Sequence, residues 1–104
     1  ERQKQKILLQ NIYFFEIKGR IIYVHGTEGM FYYYEQISVL EKTLQGKGFF
    51  RCHKSFLINL QYVNTYNSHE VILDNSERIP IAKRRYDAFC KEILEFMKKT
   101  GGSI

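Results

Sequence analysis

"GFFRCHKSFLINLQYVNTY", Gly48 to Tyr66, decides how the chain is read. Successive side chains of an extended segment point to opposite faces, so Phe49, Arg51 and His53 share one side and Phe50, Cys52 and Lys54 the other. Bases thus appear on both faces at the point where a strand leaves a core and enters a loop. Phe56, Leu57 and Ile58 then return to the interior. The stretch predicts strands over Phe49–Cys52 and Phe56–Ile58, with Arg51, His53 and Lys54 near the loop between them.

Upstream, residues rich in Ile, Val, Tyr and Phe are punctuated by Gly19, Gly26 and Gly29. They predict short strands over Ile7–Leu9, Ile12–Ile17, Arg20–His25 and Met30–Tyr34. Arg20 opens its strand just after the Lys18-Gly19 turn, which makes that turn tip cationic. In Gln36–Gln45 the spacing of Ile37, Val39, Leu40 and Leu44 predicts a short packing helix, with Gly46 as its stop. Downstream, strands are predicted over Tyr62–Tyr66, Val71–Leu73 and Arg78–Ile81, with turns at Asn67-Ser68 and Asp74-Asn75-Ser76. Pro80 suits a strand end. A closing helix is predicted from about Lys83 to Lys98, its apolar stripe made of Tyr86, Phe89, Cys90, Ile93, Leu94 and Met97. The fold class is mostly β (α+β): antiparallel sheets of short strands, a short packing helix and a C-terminal helix. Residues 1–104 form one domain, with 100–104 as a frayed tail.

Bulk composition narrows the function. With 44% hydrophobic and 26% charged residues the chain should fold rather than stay disordered. Its longest apolar runs, such as Ile12-Tyr13-Phe14-Phe15, fall far short of the roughly 18 residues a membrane span needs, so no membrane partner is expected. The chain opens at Glu1 with neither a methionine nor a secretory leader, which predicts a fragment with something preceding it. Sixteen Lys and Arg against eleven Asp and Glu give a net charge of +5, which makes a nucleic acid or an anionic surface a plausible partner. Cys52 and Cys90 stand far apart and form no CxxC motif, so a reducing, cytoplasmic setting is expected. No cofactor or metal is expected: Cys52-His53 are adjacent, His25 and His69 lie in separate hairpins, and no spacing suits zinc.

Lys83, Arg84 and Arg85 open the last helix, where unpaired N–H groups carry roughly half a positive charge and bases are unfavourable. Only Asp87 is within reach, since Asp87–Lys91 and Glu95–Lys99 are spaced to pair further along. A bound phosphate would resolve the conflict, and plain solvation of an exposed triplet is the alternative. Other readings stay open. Cys52 beside Arg51 and His53 has the setting of a reactive thiolate, or is a small buried residue. Tyr32-Tyr33-Tyr34 could stack on unpaired bases, which keeps single-stranded nucleic acid or RNA as an alternative partner, or could pack across strands. A small basic nuclease would use His53, an Arg and a Glu, but nothing marks which carboxylate would serve.

Taken together, "FFRCHKSFLINLQYVNTY" and the hairpin "VILDNSERIPIAKRRYDAF" (Val71 to Phe89) resemble the LytTR family of bacterial DNA-binding domains. The upstream stretch from Ile12 to Leu44 fits that family's opening strands and first helix. The resemblance implies a mostly β domain without a recognition helix, reading DNA through loops in successive major grooves. It implies no enzyme activity, and a place behind a phosphorylatable receiver domain in a two-component transcriptional regulator. By position it makes Arg20, His53, Lys54 and Arg84 the DNA contacts, with Arg51, Lys83 and Arg85 as neighbouring phosphate candidates. Arg20 and Arg84 are the expected base-edge readers, because Arg forks bidentately onto guanine. A homodimer on neighbouring half-sites would be usual for such a regulator. The family commonly carries Ser or Thr where this chain has Ala82, so one hydroxyl contact or helix cap is missing.

Overall fold

The computed structural model describes residues 6–101. Eight strands form two antiparallel sheets among these residues. The larger sheet holds β1 (Ile12–Lys18), β2 (Ile21–Gly26), β3 (Gly29–Tyr34), β4 (Phe49–His53) and β5 (Phe56–Asn59), in the order β3-β2-β1-β5-β4. The smaller holds β6 (Val63–Tyr66), β7 (Glu70–Leu73) and β8 (Arg78–Pro80), in sequence order. Helix α1 spans Ile37–Thr43 and helix α2 spans Tyr86–Thr100.

Strand β1 lies at the centre of the larger sheet and is covered on both faces, so its apolar residues run nearly continuously. Phe14 enters one core, with Phe50, Cys52 and Ile58 of the same sheet, Val71, Leu73 and Ile79 of the smaller sheet, and Phe89 and Ile93 of α2. Phe15 and Ile17 enter a second core with Ile22, Val24 and Leu57, beneath Leu40 of α1 and Leu44 at its C-terminus. Ile12 joins the second core despite its even number, because a bulge between Ile12 and Phe14 shifts the register.

The architecture is the mostly β one that periodicity implied, and several boundaries differ. Ile7–Leu9 is not a strand: the chain makes a 3-10 turn over Leu9–Asn11. The carbonyls of Leu9 and Ile12 accept from the Asn59 side-chain amide, and that of Gln10 from the Tyr62 hydroxyl, so side chains replace a neighbouring strand. Tyr62 ends a second 3-10 turn, Leu60–Tyr62, which the Asn59 side chain caps. Arg20 sits in the β1–β2 turn after Gly19, whose φ of 61° a β-carbon would disfavour, and β2 starts at Ile21. Pro80 ends edge strand β8, where its missing N–H breaks no ladder bond.

The closing helix differs most. Lys83–Arg85 form a 3-10 turn, held by Arg85 N–H donating to the Ala82 carbonyl, and α2 begins at Tyr86. The three cations therefore precede the helix instead of occupying its first turn, and Ala82 offers no side-chain cap. Asp87 makes no ion pair with Lys83, Arg84 or Lys91, and none of the ion pairs among the described residues lies within α2. Cys90 and Leu94 flank the buried Phe89–Ile93 line; Cys90 is half-buried and Leu94 is 45% exposed. Val39 is likewise turned outward, 49% exposed, because seven-residue α1 buries only a narrow face. Thr100 ends α2 and Gly101 caps it in the left-handed conformation. Residues 102–104 of the expected tail, and the first five residues, lie outside the described residues.

Candidate nucleic-acid interface

Two backbone hydrogen bonds bring the loops together. Ala82 N–H donates to the Cys52 carbonyl at 2.8 Å, joining the segment after β8 to the end of β4. Ile17 N–H donates to the Ser55 carbonyl at 2.8 Å, which sets the β4–β5 turn beside the end of β1. The Gly19-Arg20 turn, the Lys54-Ser55 turn and the Lys83–Arg85 turn therefore share one end of the molecule.

Arg51, His53, Lys54, Arg84 and Arg85 line a single open cleft of about 380 Å³, with Glu41 and Ala82. Lys83 is exposed on the same turn as Arg84 but outside the cleft lining, and exposed Arg20 lies on the neighbouring turn. Five of the seven residues singled out from sequence thus meet in one place, and the other two stand beside it.

The side chains in the cleft are not equally free. Arg51 donates to the Lys54 carbonyl at 2.9 Å and contacts the Glu41 carboxylate at 3.4 Å, so its guanidinium braces the loop. Arg85 donates through Nε to the Arg51 carbonyl at 3.0 Å, and its guanidinium carbon lies 4.7 Å from the centre of the Phe50 ring. Its terminal nitrogens have no partner among the described residues. His53 Nδ1 accepts from the Ser55 backbone N–H at 3.1 Å. In the neutral ring the proton then resides on Nε2, which leaves that nitrogen as a donor. Ser55 acts in this bond through its backbone, which any residue but proline could supply.

Glu41 is the cleft residue that sequence reading missed. Its helix reads as packing, and only the fold sets its carboxylate against Arg51; an acid one turn from Leu44 carries no signal of that meeting. Glu41, Arg51 and His53 are the residue types a nuclease would need, but the carboxylate is held by Arg51. Among the described residues no group of three or more His, Cys, Asp or Glu could hold a metal ion. No helix among them is long and apolar enough to cross a membrane.

Cys52 faces the core and donates to the Pro80 carbonyl at 3.5 Å. Burial raises its thiol from the ordinary 9.0 to about 12, partly offset by a backbone hydrogen bond and by the Arg85 charge. A raised pKa means that the folded state holds its proton where the unfolded state has lost it. The stabilisation is therefore complete below pH 9 and is lost as pH rises from about 9 to about 12. In the native protein a thiol reagent should label only Cys90 at neutral pH, and denaturation should expose the second site. Fast labelling of both in the native state would contradict the burial.

A mostly β domain whose loops gather bases at one end carries the electrostatic footprint of a nucleic-acid-binding module. The chain belongs to the LytTr DNA-binding domain family, whose model matches residues 3–94. It is accordingly a DNA-binding domain. A solved LytTr DNA-binding domain from Bacillus cereus, described as part of a methyl-accepting/DNA response regulator, shares the fold at a TM-score of 0.72. It is 24% identical, with 85% of this chain and 84% of that chain covered. No curated protein matches.

Proposed function

We propose that this domain recognises specific duplex DNA sequences through its clustered loops, as the output module of a cytoplasmic two-component transcriptional regulator. The observation that carries the reading is the convergence of Arg51, His53, Lys54, Arg84 and Arg85 on one cleft, from loops far apart in sequence. Arg84 and Arg20, both exposed and outside every ion pair among the described residues, are the readers of guanine edges in the major groove. His53 donates from Nε2, and Lys54, Lys83 and the terminal nitrogens of Arg85 hold phosphates. Arg51, tied to Glu41 and the Lys54 carbonyl, fixes the loop and adds positive field. The receiver domain and pairing of two copies on adjacent half-sites belong to the same proposal, supported by family membership and by the description of the solved relative.

Selection of bound duplexes from a random pool tests the reading. Against the recovered site, Arg84→Ala should cost about 1–3 kcal/mol and relax the preference at one base pair. Lys83→Ala should weaken all duplexes alike and reduce the salt slope by about one unit. Equal losses on cognate and scrambled duplexes for Arg84→Ala would contradict its role. A preference for unpaired oligonucleotides would overturn the duplex reading, and cleavage of labelled DNA would restore the nuclease one.

A further inference from the structure

A fourth turn lies at the same end and has so far had no role. Asn67, Ser68 and His69 join β6 to β7, and all three are exposed. The Asn67 side-chain oxygen accepts the backbone N–H groups of His69 at 2.8 Å and Glu70 at 3.0 Å, and Asn67 N–H donates to the Glu70 carbonyl at 3.0 Å. The turn is therefore rigid. At its base the Tyr66 ring meets Phe89 edge-on, with ring centres 4.9 Å apart, which anchors it to the core.

Its position follows from two consecutive backbone bonds. Ile81 N–H donates to the His69 carbonyl at 2.9 Å, and the next residue, Ala82, donates to Cys52. The His69 turn, the Ala82–Arg85 segment and the end of β4 are thus neighbours in that order. The row of loop tips runs from Arg20 through Lys54 and Arg84 and continues to His69.

The chemistry presented there is that of a donor to anions. Ser68 offers a hydroxyl and His69 an imidazole N–H, while the adjacent acid, Glu70, is ion-paired with Arg78 across the hairpin. No free carboxylate stands in the turn to repel a phosphate. We infer that the Asn67–His69 turn is an additional DNA-binding loop, whose Ser68 and His69 side chains hold a backbone phosphate beyond the groove that Arg84 enters. This rests on the duplex-binding reading. Donors on phosphate position the duplex and carry no sequence information, so the loop adds affinity without changing preference.

The test uses the 104-residue chain and a fluorescent duplex recovered by selection. His69→Ala and Ser68→Ala should each weaken binding about three- to tenfold, on cognate and scrambled duplexes alike. His69→Arg should tighten binding and steepen the salt slope by about one phosphate equivalent. The same charge placed at the hairpin's opposite tip, Asn75→Arg, should change neither. If the parent binds the duplex but both His69 variants match it, or if Asn75→Arg tightens binding as much as His69→Arg, the loop is not a contact. If the parent binds no duplex, the duplex reading itself fails and this inference with it.

Discussion

Phe89→Ala should lower the unfolding free energy by about 3–5 kcal/mol, the largest loss expected of any single change in the chain. The Phe89 side chain is 0% exposed. Its ring meets Phe50 of the larger sheet at 5.8 Å and Tyr66 of the smaller at 4.9 Å, centre to centre, so one side chain from α2 joins both sheets. Alanine would leave a void that the two sheets cannot close together, and the lost contacts add to the lost transfer free energy. A domain of this size has about 5–15 kcal/mol of stability in all, so the variant should be marginal. Urea unfolding followed by circular dichroism measures the change, and a loss below about 1 kcal/mol would show that Phe89 is not the junction. The effect also reaches the end where the basic loops gather. Phe50 carries the Arg85 guanidinium, and the Lys83–Arg85 turn leads directly into α2. The milder Phe89→Leu should stay folded while the Arg84 turn shifts relative to the His53 loop, and should lose affinity for the selected duplex more than for scrambled DNA.

Asn59→Ala should cost about 2–4 kcal/mol, because it removes three hydrogen bonds at a buried site. Asn59 is 4% exposed. Its amide nitrogen donates to the Ile12 carbonyl at 2.9 Å and the Leu9 carbonyl at 3.3 Å, and its oxygen accepts the Gln61 N–H at 3.0 Å. No other side chain of similar size both donates twice and accepts once in that arrangement. Asn59→Asp should be no better than alanine at neutral pH, since a carboxylate would face two carbonyls. Amide exchange near Leu9–Ile12 should rise in both variants, and unchanged protection there would show that the segment is held by other means. Duplex specificity of whatever fraction folds should be unaltered, because Asn59 lies away from the cleft lining.

These two residues show what a motif can and cannot say. Asn59 lies inside the stretch that carries the family resemblance, yet its neighbours in the chain give no hint that it bonds to residues near Leu9. Phe89 reads as one member of an apolar stripe that also includes Leu94, and their burial differs because only one side of α2 meets the sheets. The basic residues follow the same division. The chain puts Lys54 in a loop, where a strand alternation ends, but its local signals read Arg20 as the start of a strand and Lys83 and Arg84 as the start of a helix; the fold places all three of these in turns. The chain does not state that Arg85 turns back onto Phe50, that Glu41 enters the cleft, or that His69 continues the row of loop tips.

Alternation, turn chemistry and amphipathic spacing act over a few residues, so the strands, hairpins and closing helix, and with them the mostly β class, were determined by the sequence itself. Which cations meet was decided by the tertiary structure alone. That meeting depends on the Ala82–Cys52 and Ile17–Ser55 hydrogen bonds and on two sheets closing over Phe89, contacts between residues separated by dozens of positions. Such contacts form only when buried area offsets the entropy of bringing distant segments together, and that balance belongs to the whole domain rather than to any stretch of it.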